Sequence, residues 1–192
     1  MYTRLMFLSA LLFFISCNDK KSISKEPAPL IQNTFATPDS FKAGIGKIYE
    51  GYLNVQTDLA NDDFKTAIDA FSSMHGLIHM LPEEGLDSLT KTAWDSLSSQ
   101  FMVVLHPMAT SKDIAEMRFH LKGFSPLLAK AIDQFGMQTT SPAYLFNCPM
   151  ADSGKGGLWL QKDKVKANPY FGKAMLDCGD FVREVQPTKA NP

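Results

Sequence analysis

Two short segments near the C-terminus carry the side chains best suited to chemistry. Cys148-Pro149-Met150 sets a thiol beside a thioether, and Met175-Leu176-Asp177-Cys178-Gly179 does the same in the reverse order. Four soft sulfur donors, Cys148, Met150, Met175 and Cys178, would converge if the fold brings the segments together. Soft thiolate and thioether ligands favour Cu(I) over hard cations. Zinc is less natural here, because it takes Cys, His and carboxylate and seldom Met. The same two cysteines admit another reading, a disulfide between Cys148 and Cys178. Closing a loop of that size stabilises by about 3–4 kcal/mol in the chain-entropy view, and an oxidising compartment makes it ordinary. The spacing leaves both readings open.

A second pair is His75 and His79. At i and i+4 they share one helix face, where two imidazoles could chelate a metal. Gly76 stands where a zinc protease helix needs its glutamate, so the hydrolase motif is absent. His75 also falls on an apolar stripe, so a boundary histidine satisfied by one hydrogen bond is the plainer alternative. His106 and His120 are isolated in the sequence and read as structural or surface groups. Methionines such as Met102, Met108 and Met117 read as core gap-fillers, and Arg118 near Glu116 and Asp113 as part of a solvated helix face. There is no nucleophile elbow, no Cys-x-x-Cys pair, and no Lys-Ser/Thr ending to the Gly154–Gly157 turn. The expectation is a protein that is not an enzyme.

The elements that must position these residues are helical. Phe41, Ile45, Ile48, Tyr49, Tyr52, Leu53 and Leu59 recur at steps of three and four. Asn61-Asp62-Asp63 breaks that pattern and offers a cap for a second helix carrying Phe64, Ala67, Ile68, Phe71, His75, Ile78 and Leu81. A third helix from about Leu86 carries Leu89, Trp94, Leu97, Phe101 and Leu105 and ends near Pro107. Thr110 and Asp113 have capping-box spacing for a fourth, with Met117, Leu121, Phe124, Leu128, Ile132 and Phe135 along it. Pro126 should kink or interrupt that helix. Short loops between amphipathic helices predict a mainly α fold, a four-helix up-down bundle over 39–136. Residues 137–186 predict a small β-hairpin-like, cysteine-bearing module packed on the bundle: Ala143–Phe146 and Leu158–Leu160 as short strands, Phe181-Val182 as a third. Residues 187–192 are a tail.

The N-terminus reads as targeting rather than fold. Arg4 precedes an apolar run from Leu5 to Ile15, which is too short for a span of about 20 residues. It ends at Ser16-Cys17 and turns polar at once, resembling a bacterial lipoprotein signal over 1–16 in which Cys17 is lipidated. Residues 17–38, with Pro27, Pro29 and Pro38, read as a flexible tether. Of 192 residues, 45% are hydrophobic and 20% charged, as in globular proteins. The 19 basic and 20 acidic residues nearly cancel, which leaves no electrostatic footprint for nucleic acid. Three cysteines are too few for a disulfide scaffold or a four-thiolate zinc site.

Read together, Cys148-Pro149-Met150-Ala151, Leu158-Trp159-Leu160-Gln161, Asn168-Pro169-Tyr170-Phe171-Gly172 and Met175-Leu176-x-Cys178-Gly179 resemble the signature of an uncharacterised bacterial periplasmic family. Its domain is known as one of unknown function, common in Bacteroidota. The family occurs as free lipoproteins and fused to periplasmic adaptor subunits of copper/silver-type efflux pumps. The resemblance spans about residues 41–185 and implies a heavy-metal context. The Cys-Pro-Met opening also resembles small heavy-metal-binding modules on the same adaptors, although Ala151 stands where those have histidine. The expectation that follows is a lipoprotein of the cell envelope, facing the periplasm from a lipid anchor, with the outer membrane preferred over the inner. It would bind Cu(I) or Ag(I), as a metal buffer or an accessory to efflux with an adaptor subunit as partner. The alternative is a disulfide-stapled structural or protein-interaction module of an envelope complex, with no metal role.

Overall fold

The computed structural model describes residues 33–140 and 143–185. The segment read as a signal, Cys17 and the residues read as a tail lie outside them. Four helices account for most of the described residues: α1 (Asp39–Ala60), α2 (Phe64–His79), α3 (Ser88–Ala109) and α4 (Ile114–Phe135). Each packs on the next, and α1 closes on α4, giving the expected up-down bundle. The apolar stripes face inward as the helical period requires. Phe41, Ile45, Tyr52, Phe71, Trp94, Phe101, Leu121, Phe124 and Phe135 are all buried. Among the described residues no helix is long and apolar enough to cross a membrane.

Several boundaries depart from the expected ones for identifiable reasons. Asp63 caps α2 as anticipated, accepting from the Thr66 amide at 3.0 Å. Asp87 caps α3, taking the Thr90 amide at 2.8 Å, so α3 starts at Ser88 and Thr90, not Leu89, turns inward. The capping box of α4 is not Thr110/Asp113, because Thr110 closes α3. Asp113 itself accepts from the Glu116 amide at 2.9 Å, and Glu116 reaches back to the Lys112 amide at 2.8 Å. Nor does Pro126 interrupt α4, which runs on to Phe135. The proline forfeits one bond to the Lys122 carbonyl, yet Leu121 and Phe124 before it and Leu128 and Ile132 after it are buried on the same face. Packing also begins earlier than Asp39. The Phe35 ring stacks on Phe135 at 5.2 Å, and its amide donates to the Gln134 carbonyl.

The C-terminal part is a small three-stranded antiparallel sheet, with the third strand that Phe181-Val182 suggested. β1 (Ala143–Cys148) lies between β2 (Gly157–Gln161) and β3 (Asp180–Val185). Leu145 with Leu160 and Phe146 with Trp159 take opposite faces of the β1–β2 ladder, and all four are buried in one apolar cluster with the helical core. Two of the backbone polar groups on the outer edge of β2 are taken by tyrosines. Tyr52 accepts the Leu160 amide, and Tyr170 donates to the Leu158 carbonyl. These bonds blunt that edge against further strand pairing. The β3 edge is different, with Phe181 and Val182 exposed.

Candidate functional site

Register explains why the two C-terminal cysteines meet. Asn147 pairs with Asp180 across the β1–β3 ladder. Cys148 ends β1 one residue beyond that pair, and Cys178 precedes β3 by two. The last turn of the loop therefore folds Cys178 over the end of the central strand, within hydrogen-bonding reach of Cys148. Both are free thiols, with Cys148 fully buried and Cys178 half-buried.

The loop delivering Cys178 is held by Asn168, which is fully buried. Its Oδ1 accepts from the Tyr170 amide at 2.8 Å, its Nδ2 donates to the Cys178 carbonyl at 2.9 Å, and its own amide donates to the Leu176 carbonyl. Gly179 then passes beneath Trp159 with φ of +129°. A Cβ there would sit 2.4 Å from the indole and 3.0 Å from the Asn147 carbonyl oxygen. Only glycine meets both demands at that point. Lys166 donates to the Gly179 carbonyl at 3.1 Å, which puts an ammonium beside the thiols.

Burial pushes the Cys178 thiol above its ordinary value, and the neighbouring Cys148 adds to the effect while Lys166 opposes it. A raised thiol is the reverse of the activated thiolate a nucleophilic cysteine needs. A metal ion bound there would have to displace that proton, since metal binding takes the thiolate form, so binding through Cys178 would strengthen as pH rises.

The thioethers are placed differently. Met150 is half-exposed, 52% accessible, and lines a groove against α4 with Arg118, Phe119, Lys122, Tyr170 and Phe171. Neither cysteine lines that groove. Met175 closes the short turn Gly172–Ala174, and its carbonyl accepts the Cys178 amide at 3.1 Å. Among the described residues no three His, Cys, Asp or Glu side chains form a ligand cluster. What the fold brings together is thus a pair of thiols, with Met150 two residues from Cys148 and Met175 three from Cys178.

Arg118 is not part of a solvated face. Its Nε donates to the Pro169 carbonyl at 2.7 Å, and one terminal nitrogen reaches the Leu59 carbonyl at 2.7 Å and Asp62 at 2.6 Å. Asp62, in the left-handed region at φ +62°, also accepts the Lys173 amide. Gly172 approaches so closely that a Cβ there would fall 1.9 Å from an Asp62 oxygen. This knot fastens the α1–α2 turn and α4 to the loop that carries Cys178. Its sequence signal was the Asn61-Asp62-Asp63 break, which reads only as a cap.

On α2, the rings of His75 and His79 lie 5.1 Å apart. His75 stacks on buried Phe71 at 5.8 Å, and His79 is exposed. His106, apparently isolated in the sequence, comes from α3 close enough for its charge to act on His75. Met108 and Met117 are core residues, as expected.

Residues 48–140 match a family model described as "Protein of unknown function (DUF3347)". The match runs from within α1 through α4 and stops before β1, so the paired cysteines and the motifs around them lie outside it. It supports a domain-of-unknown-function family for the helical part. No curated protein and no solved structure matches the chain.

Proposed function

We propose that the protein binds Cu(I) or Ag(I) through Cys148 and Cys178, as a metal buffer or an accessory to heavy-metal efflux. It would work from the periplasmic side of an envelope membrane, anchored by lipid on Cys17, with an efflux adaptor subunit as partner. One observation carries the reading: two thiols thirty residues apart are brought side by side by the register of β3 on β1 and by the Asn168-braced loop. Two thiolates are a sufficient soft donor set for a monovalent ion. Met150, two residues from Cys148, and Met175, three from Cys178, are the thioethers that could complete the set. No enzymatic role is proposed, because the raised Cys178 thiol is unsuited to attack. The test is native mass spectrometry of reduced protein with Ag(I). One bound ion that disappears in Cys178→Ala supports the reading, and equal loading of both proteins sinks it.

The same proximity serves the second reading, a disulfide that staples β3 to β1. Phe181 and Val182, exposed on the outer strand, would then form the face that meets a partner protein. Intact-mass analysis of protein recovered from the envelope separates the two. A quantitative disulfide that resists reduction favours the staple.

A further inference from the structure

His75 and His79 offer a site of different chemistry, remote in sequence from the thiols. The plain account of a histidine on an apolar stripe is a ring satisfied by one hydrogen bond. The structure does not give it that role. Among the described residues neither imidazole makes a hydrogen bond or an ion pair, while each has a ring neighbour. His75 is half-buried, its ring held nearly parallel to Phe71 at an interplanar angle of 12°. Phe71 is itself buried in the core, so the stack fixes the position of one imidazole. His79 stands one turn further on at the exposed end of α2, free to adjust.

The separation allows chelation. A ring nitrogen bound at about 2.0–2.1 Å puts the ring centre about 3.2 Å from the ion, so N–metal–N angles of about 90–110° place the two centres about 4.5–5.2 Å apart. The observed 5.1 Å falls within that interval, and the rings are close to perpendicular, at 78°. Gly76, between the two histidines, has nothing within 4 Å of where a Cβ would be, so the surface beside the pair is open. Imidazole is a borderline ligand that suits late first-row divalent ions. No third His, Cys, Asp or Glu completes a cluster among the described residues, so water would fill the remaining positions.

We infer that His75 and His79 form a two-imidazole chelating site for a divalent ion of the Cu(II), Ni(II) and Zn(II) class, separate from the thiol pair. The site stands whether or not the thiols bind copper, because it shares no ligand with them.

Ni(II) is the probe, since it binds imidazole without oxidising thiols. Calorimetric titration of the full chain is compared with His75→Gln, His79→Gln, His106→Gln and Cys178→Ser, with circular dichroism confirming helix content in each. The expected result is one Ni(II) bound, weakened at least tenfold in each of the first two variants and less than twofold in the last two. Saturating Ni(II) should also raise the melting temperature of the wild type but not of His79→Gln, because the ion bridges one helical turn. Wild-type affinity in His79→Gln, a loss that follows Cys178→Ser instead, or no Ni(II) binding by the wild type would each overturn the inference.

Discussion

The hydroxyl of Tyr52 and the amide of Leu160, 108 residues apart, meet at 3.1 Å in the interior. The same hydroxyl lies 2.8 Å from Ser125 Oγ, so one side chain on α1 ties α4 to the outer strand of the sheet. A strand edge that would otherwise face an apolar core with an unpaired N–H is thereby satisfied.

Replacing Tyr52 with Phe leaves that N–H buried and unpaired. The expected cost is about 1–3 kcal/mol of stability, measured by urea denaturation. Hydrogen exchange at the Leu160 amide should speed up more than exchange in the helices.

The same residue makes stability sensitive to alkali. Burial pushes the Tyr52 phenol from 10.0 up to about 12, although its hydrogen bonds to Ser125 and Leu160 pull the other way. Tyr49 is shifted in the same direction, again chiefly by burial. Below the ordinary value both folded and unfolded chains keep the proton. Between pH 10 and 12 only the unfolded chain ionises, so stability falls as pH rises, by about 2–3 kcal/mol from Tyr52 alone. Denaturation midpoints from pH 9 to 12 should show the decline, and it should be shallower in Tyr52→Phe.

Arg118→Met removes charge-assisted bonds to the Leu59 and Pro169 carbonyls. The expected loss is about 2–3 kcal/mol, with the segment around Tyr170–Cys178 opening first in hydrogen exchange. Asp62 adds an acid limb. The Arg118 hydrogen bond and then the Lys173 amide hold its carboxyl below the ordinary value. That contribution is present above the unfolded value and is lost as pH falls through the lowered folded one. Acid denaturation of Arg118→Met should therefore be less steep than that of the wild type.

The bundle was legible because a period of 3.6 repeats along each helix, and Asp63 announced its own cap. The box at Asp113/Glu116 was misplaced because Thr110 has the same spacing and sits three residues earlier. Pro126 was misjudged because a local rule about a lost hydrogen bond cannot weigh the buried side chains on both sides of it. Arg118 looked solvated because its partners stand at 59, 62 and 169. The four sulfur residues were visible as a set. Which of them meet depends on strand register and on the Asn168 loop, and neither leaves a local trace in the chain.

Gly179→Ala tests that loop without touching a thiol. A methyl at φ +129° against Trp159 must push the β3 entry away from Asn147. The expected result is slower oxidative cross-linking of Cys148 to Cys178, read by mass, with the far-ultraviolet helix signal unchanged. Cross-linking at the wild-type rate would show that the register does not depend on this contact.

The central claim is that the two thiols form a soft-metal site. The most direct measurement is a Cu(I) competition titration of purified protein under reducing conditions, beside Cys148→Ala and Cys178→Ala. The account predicts tight one-to-one binding that vanishes in both variants while helix content is retained. A folded, reduced wild type that leaves Cu(I) with the competitor would contradict it, and the paired cysteines would then be a staple.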